Sequence, residues 1–308
     1  SNKSASVQAT LFVTTSATKD NPIPVYTITQ FMQMGEADYV LMNDLYLVSQ
    51  DDYFVNAYQE NGESLYPSQR IVSKNYYYYD SNSRFKSITP LFKSFDGNGY
   101  KIYINSFALS EDLTSQGLFS SLTSDQLVKN LQLVLLNQIN DGAETTSYTV
   151  SQDNVSSVNF GLFVGENNGV ITNCQVTYSH LTANGIDDSD SYINGSAQNT
   201  VFNFVIDSAV DATVGGFVGV NKGYITNSSI GENLLYHNGE NGVNKVLNIS
   251  ASGSIGAFAG QNDYKISACY AMNIGVKNTS GDVLKTKTAG FVSENTSNGS
   301  IVQSFTEG

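Results

Sequence analysis

Apolar and polar residues alternate along this chain in short runs. Lys101-Ile102-Tyr103-Ile104 and Leu131-Gln132-Leu133-Val134 send every second side chain to one side, the period of a half-buried strand. Long apolar faces with a 3.6-residue period are scarce. The exception follows Thr27, where Ile28, Phe31, Met32 and Met34 give a short helix an apolar side. The Thr27 hydroxyl suits the start of that helix, where it accepts from a free backbone N–H. All four prolines (Pro22, Pro24, Pro67, Pro90) fall in the first 90 residues, so no later strand loses a backbone donor in this way. The pattern predicts an all-β protein.

The pattern also repeats. GLFVGENNGVITNCQVTY begins at Gly161, and GGFVGVNKGYITNSSI begins at Gly215. Gly161, Gly215 and Gly256 each open a block with Phe at +2 (Phe163, Phe217, Phe258) and Gly at +4 (Gly165, Gly219, Gly260). Asn follows at +6 (Asn167, Asn221, Asn262) and Ile at +10 (Ile171, Ile225, Ile266). A fourth copy, from Ala289, keeps Phe291, Asn295 and Ile301 but carries two extra residues before Gly299. A weaker copy starts at Gly117 with Phe119 and lacks the second Gly and the Asn. The copies begin at 117, 161, 215, 256 and 289, so their core is constant while the intervening lengths vary. Stacked repeats behave this way, with insertions escaping as loops.

Each column of the repeat has a structural role. Phe at +2 and Ile at +10 point inward and stack on their counterparts roughly 4.8 Å away, the spacing of neighbouring strands. The glycines suit corners that need positive φ or close backbone approach. Asn at +6 fits a turn, where it tolerates left-handed geometry, and its amide is able to bond to the next Asn along a ladder.

These residues resemble the GLUG motif, a short repeat in bacterial surface proteins and in the region ahead of the catalytic domain of some IgA-protease-type metallopeptidases. The order of phrases before the repeats is similar too: TITQFMQMGEADYVLMNDLYL from Thr27, LFKSFDGNGYKIYI from Leu91, then GLF at Gly117. The resemblance spans roughly residues 25–308 and implies a right-handed parallel β-helix with three strands per coil. It implies no shared catalytic site. The expected organisation is an N-terminal segment with a capping helix over 1–36, then a β-helix over 37–308 with loop insertions near 48–87 and 179–213. The chain stops at SFTEG, level with the end of a repeat, and further repeats or another domain are expected beyond it.

Charge narrows the partners. The net charge is −13, with 15 Lys+Arg spread thinly and arginine only at Arg70 and Arg84. A nucleic-acid binder needs clustered cations to displace counterions, so nucleic acid and anionic membranes are poor partners for this chain. No run approaches the roughly 18–20 apolar residues of a membrane helix, so no membrane insertion is expected.

Four groups of residues carry candidate chemistry. Tyr76, Tyr77, Tyr78 and Tyr79 form an unbroken aromatic run whose exposed rings would suit contact with glycan or protein. The alternative is a loop folded back on the wall. Asp187, Asp188 and Asp190 offer carboxylate oxygens for Ca²⁺, without the spacing of an EF-hand, and the alternative is a solvated loop. No other cofactor is expected. Cys174 and Cys269 share position +13, two copies apart and beyond disulfide reach, so both read as buried free thiols. His180 and His237 read as surface residues.

The reading that follows is a non-enzymatic extracellular or cell-surface module, an adhesin or rigid stalk. Its partners would be a host or environmental glycan, a surface protein, or copies of itself. The alternatives are a self-assembling filament or surface-layer subunit, and a polysaccharide-degrading β-helix enzyme.

Overall fold

The computed structural model describes residues 21–47, 85–104, 107–108, 110, 113–138, 147–152, 158–182, 185–187, 200–208, 212–231, 245–279 and 287–307. These residues form strands almost throughout, arranged in parallel sheets, with one short helix, Ile28–Met32. Parallel pairing follows from the repeat. Successive copies run in the same direction, so the register that matches identical residues is a parallel one.

Thr200–Ser208, Ala212–Gly215, Val218–Asn221, Tyr224–Thr226 and Ser229–Ile230 are successive strands, each in a different sheet. The chain then visits the same five sheets in the same order through Lys245–Ala251, Gly253–Gly256, Ala259–Asn262, Lys265–Ser267 and Tyr270–Met272. Each of these strands pairs in parallel with its predecessor. Ile274–Asn278, Thr288–Ala289, Val292–Asn295, Ser300–Val302 and Phe305–Glu307 repeat the tour once more. A copy therefore carries five short strands, two more than the resemblance implies. The insertion near 179–213 is also not all loop. It supplies Gly185–Asp187, antiparallel to Gln175–Thr182, and Thr200–Ser208, a central strand of the four-stranded sheet.

The inward columns form the core. Phe163, Phe217 and Phe258 are fully buried, and each ring stacks on the next, with centroids 4.8 Å apart for the first pair and 5.0 Å for the second. Phe291 continues the stack at 5.0 Å. Burying each such ring stabilises the fold by about 1.5–3 kcal/mol. Ile171, Ile225 and Ile266 are buried beneath them, while Ile301 in the last copy is 37% exposed. The weak first copy is one residue out of step: Phe119 pairs with Val164 rather than Phe163. Its ring meets Phe163 edge-on at 6.0 Å instead of stacking.

Of the two roles expected of the repeat glycines, those at 161, 165, 215, 219, 256 and 260 take the second: none sits at positive φ, and each is a site of close backbone approach. A Cβ on Gly215 would lie 1.8 Å from the Val218 carbonyl oxygen, because neighbouring chain segments touch at that corner. Nor is the Asn at +6 left-handed. The left-handed residues fall six positions later, at Asn173, Asn227 and Ala268, and at Gln303 past the two extra residues of the last copy, with φ between 49° and 54°. Asn130 takes the same geometry in the weak copy.

At the N-terminal end the helix starts as expected. Thr27 Oγ1 accepts from the Gln30 N–H at 3.2 Å, and the Gln30 side chain accepts from the Thr27 N–H at 3.1 Å. Phe31 is fully buried, 5.5 Å from the Phe95 ring and 6.2 Å from that of Phe119. Lys101–Ile104 and the strand Gln132–Gln138 are present, but the side turned away from the core is covered as well. Tyr103 and Val134 are both buried.

Candidate functional site

Among the described residues, the Asn side chains at +6 form a continuous column of buried polar groups. Asn167, Asn221 and Asn262 are each 0% exposed. Asn167 Nδ2 donates to Asn221 Oδ1 at 2.8 Å, Asn221 Nδ2 to Asn262 Oδ1 at 2.8 Å, and Asn262 Nδ2 to Asn295 Oδ1 at 2.7 Å. Asn167 and Asn221 also accept from the N–H of Gly169 and Gly223, closing the local turn. Leu122 holds the equivalent register in the weak copy, where Gln126 takes over the turn. Its Oε1 accepts from the Thr123 N–H, and its Nε2 donates to the carbonyls of Pro90 and Phe92. All of this is architecture.

The column at +13 is architectural too. Cys174, Ser228, Cys269 and Ser304 follow one another, and each donates to the carbonyl two residues before it. Ser228 Oγ accepts from the Cys174 N–H and Ser304 Oγ from the Cys269 N–H. Both thiols are free and buried, with Ser228 lying between them in the stack. Burial pushes Cys174 up to about 12 and Cys269 to about 11, which keeps both protonated.

Tyr76, Tyr77, Tyr78, Tyr79, Asp188, Asp190 and His237 lie outside the described residues. Asp187 ends a short strand, and its backbone pairs with that of His180. Among the described residues no three His, Cys, Asp or Glu side chains gather as a metal site, and no helix is long and apolar enough to cross a membrane.

What the sequence reading missed is a groove on the outer surface. It has a volume of about 380 Å³. Two columns build it. The left-handed corner contributes Asn130, Asn173 and Asn227; the strand positions just after it contribute Gln132, Gln175, Ser229 and Tyr270, aligned with one another in register. None of its described lining residues is charged.

Hydrogen bonds hold one end of the groove and leave the other end free. Asn173 Nδ2 donates to Asn130 Oδ1 at 2.8 Å, and Asn130 Nδ2 donates to Asp96 Oδ1 at 2.9 Å. Burial raises the Asp96 pKa, but hydrogen bonds from Asn130, Lys129 and the Asn98 N–H outweigh it and leave the carboxyl below its ordinary value. Asp96 is thus an ionised anchor, paired with Lys129 at 2.9 Å. Farther along, the amides of Asn227 and Gln175 and the hydroxyl of Tyr270 have no hydrogen-bond partner among the described residues. The Tyr270 ring is held by stacking on Phe305 at 5.5 Å. The recurrence of Asn at 130, 173 and 227 was the signal that could have pointed here.

Comparison with protein-family models, with curated proteins and with solved structures found no match for this chain.

Proposed function

We propose that this chain is a right-handed parallel β-helix and serves as a rigid, non-enzymatic extracellular surface module, an adhesin or stalk. The observation that carries the reading is the Asn ladder, buried at Asn167, Asn221 and Asn262 and continued to the exposed Asn295, flanked by the Phe stack. A column of amides bonded end to end fixes the separation of successive copies, and rigidity along that axis is what a stalk needs. The cyclic order in which the chain visits its sheets supports winding, and right-handedness follows from the strong preference of parallel crossovers. A winding scaffold presents its insertions and outer columns at a distance from its base, so contact belongs to those surfaces rather than to the interior.

Two measurements test this. A crystal structure should show the chain winding in one sense through successive coils, and sheets closed into a sandwich or barrel would overturn the β-helix. A glycan and matrix-protein binding screen should find a ligand for the intact chain. Replacing Tyr76, Tyr77, Tyr78 and Tyr79 with Ser then reports whether that run makes the contact. Turnover of a bound polysaccharide would replace the scaffold reading with an enzymatic one.

A further inference from the structure

We infer that the groove beside the left-handed Asn corner is a binding site for a neutral, linear oligosaccharide. This rests on the reading of the chain as a surface module and adds a site and a ligand class to it. The argument begins with charge. The protein as a whole is strongly acidic, yet among the described residues no charged side chain lines the groove, and such a lining offers no selectivity for an ion. Its walls carry amides, which donate and accept in the same plane, and a phenol that does both. Such groups match hydroxyls, which also donate and accept, better than they match a carboxylate or an ammonium.

The free groups are the second point. Asn227, Gln175 and Tyr270 line the groove with side-chain polar atoms that have no partner among the described residues, while the neighbouring Asn173 and Asn130 are locked to Asp96. One end is therefore preorganised and the other is available, the arrangement that lowers the ordering cost of binding. Corner geometry contributes too. Asn173 and Asn227 are held at φ 54° and 49°, so their side chains leave the wall from a fixed backbone.

Spacing is the third. The lining residues repeat from copy to copy at the strand separation of about 4.8 Å, comparable to one sugar residue in an extended chain. An amide is then met in the copies of Asn130, Asn173 and Asn227, and the Tyr270 phenol in the next. The Tyr270 ring, half-buried and stacked on Phe305, supplies a flat apolar face of the kind a pyranose ring covers. The volume of about 380 Å³ lies within the range of small-ligand sites and has room for a short segment rather than a large polymer coil.

The test uses the full chain and named probes: cellohexaose, xylohexaose, mannohexaose and maltohexaose as neutral chains, and a hexagalacturonate as the acidic counterpart. Saturation-transfer NMR detects binding and calorimetric titration measures it. The expected result is that at least one neutral hexasaccharide binds, with an affinity insensitive to added salt. Combining Asn227→Gly with Gln175→Ala should weaken it at least tenfold. Glycine accepts the positive φ at 227, so the corner survives while the amide is lost, and an unchanged urea midpoint confirms that. Three results would each overturn the inference: no neutral probe binds, the double variant binds as tightly as the parent, or only hexagalacturonate binds. A crystal structure showing wound coils alongside any of these would remove the site and leave the scaffold reading standing. Sheets that do not wind would remove the scaffold whatever the sugars do.

Discussion

Replacing Asn221 with alanine should be among the most damaging single changes to this protein. The side chain is 0% exposed and sits mid-ladder. Its loss strips partners from three buried groups: the Asn167 amide N–H, the Asn262 amide oxygen and the Gly223 backbone N–H. Leaving a buried polar group unpaired costs about 1–3 kcal/mol. Partial relaxation keeps the three from adding fully, so the expected loss is about 3–5 kcal/mol. Asn295→Ala is the internal control. That residue takes the same column but lies exposed in the last copy, and about 1 kcal/mol is expected there. Urea unfolding followed by circular dichroism and tyrosine fluorescence measures both, since the chain has no tryptophan. Asn221→Asp adds a pH test. A carboxyl in this dry column is disfavoured as the anion, so its folded-state pKa is raised above the unfolded value of about 3.9. Stability relative to the parent should therefore be greatest below about pH 4 and fall by up to about 1.4 kcal/mol per unit as pH rises towards the folded-state pKa. If Asn221→Ala cost no more than Asn295→Ala, the ladder would be a by-product of packing and not a support of the fold.

Three other outcomes follow from the corners and columns. Gly215→Ala forces a Cβ to 1.8 Å from a backbone oxygen and should cost more than about 3 kcal/mol or abolish soluble expression, whereas Gly99→Ala, at φ +80° with open space around it, should cost only about 1 kcal/mol, as read by the same urea melts. Ala268 holds φ 54° without an amide or a glycine's freedom, so Ala268→Asn or Ala268→Gly should stabilise by about 1 kcal/mol; a loss of stability would show that the corner is set by something other than backbone preference. Cys174 and Cys269, raised to about 12 and 11, should resist Ellman's reagent at pH 8 in the native protein and both react in denaturant, and Cys174→Ser should fold normally because Ser228 and Ser304 already fill that column.

The parts of this architecture that were legible from sequence are those where one residue type does the same job in every copy. Phe at +2, Asn at +6 and Ile at +10 announce stacking because nothing but a repeated environment accounts for their repetition. Thr27 marked the helix start because few side chains accept well from a free N–H at that position, whereas its reciprocal partner Gln30 was read only from the structure. What was not legible came from roles that several residues share. The left-handed corner at +12 (two residues later in the last copy) is filled by Asn, Asn, Ala and Gln, so backbone geometry recurs where the letters do not. The strand Thr200–Ser208 lies in a segment whose length varies between copies, and its pairing with Lys245–Ala251 depends on stacking that no local pattern records. The out-of-step weak copy is similar: aligning Phe119 with Phe163 by type gave the wrong pair, because the backbone register counts residues and not side chains.

That contrast also separates the scaffold from whatever it binds. Inward columns must repeat, since each side chain packs against its own kind in the copies on either side, and a change in one is felt by both. Outward columns share the same register without that constraint. The column from Gln132 runs through Gln175, Ser229, Tyr270 and Phe305, unlike side chains held in line by parallel pairing. Chemistry that serves a ligand and not the fold has to be carried where register is kept and residue type is free to differ. The groove lies at such a place, where a corner fixed by backbone geometry adjoins a column whose residue type changes from copy to copy. A binding function in a stacked-repeat protein is therefore better sought by aligning its outer columns and asking where they stop repeating than by searching for a motif.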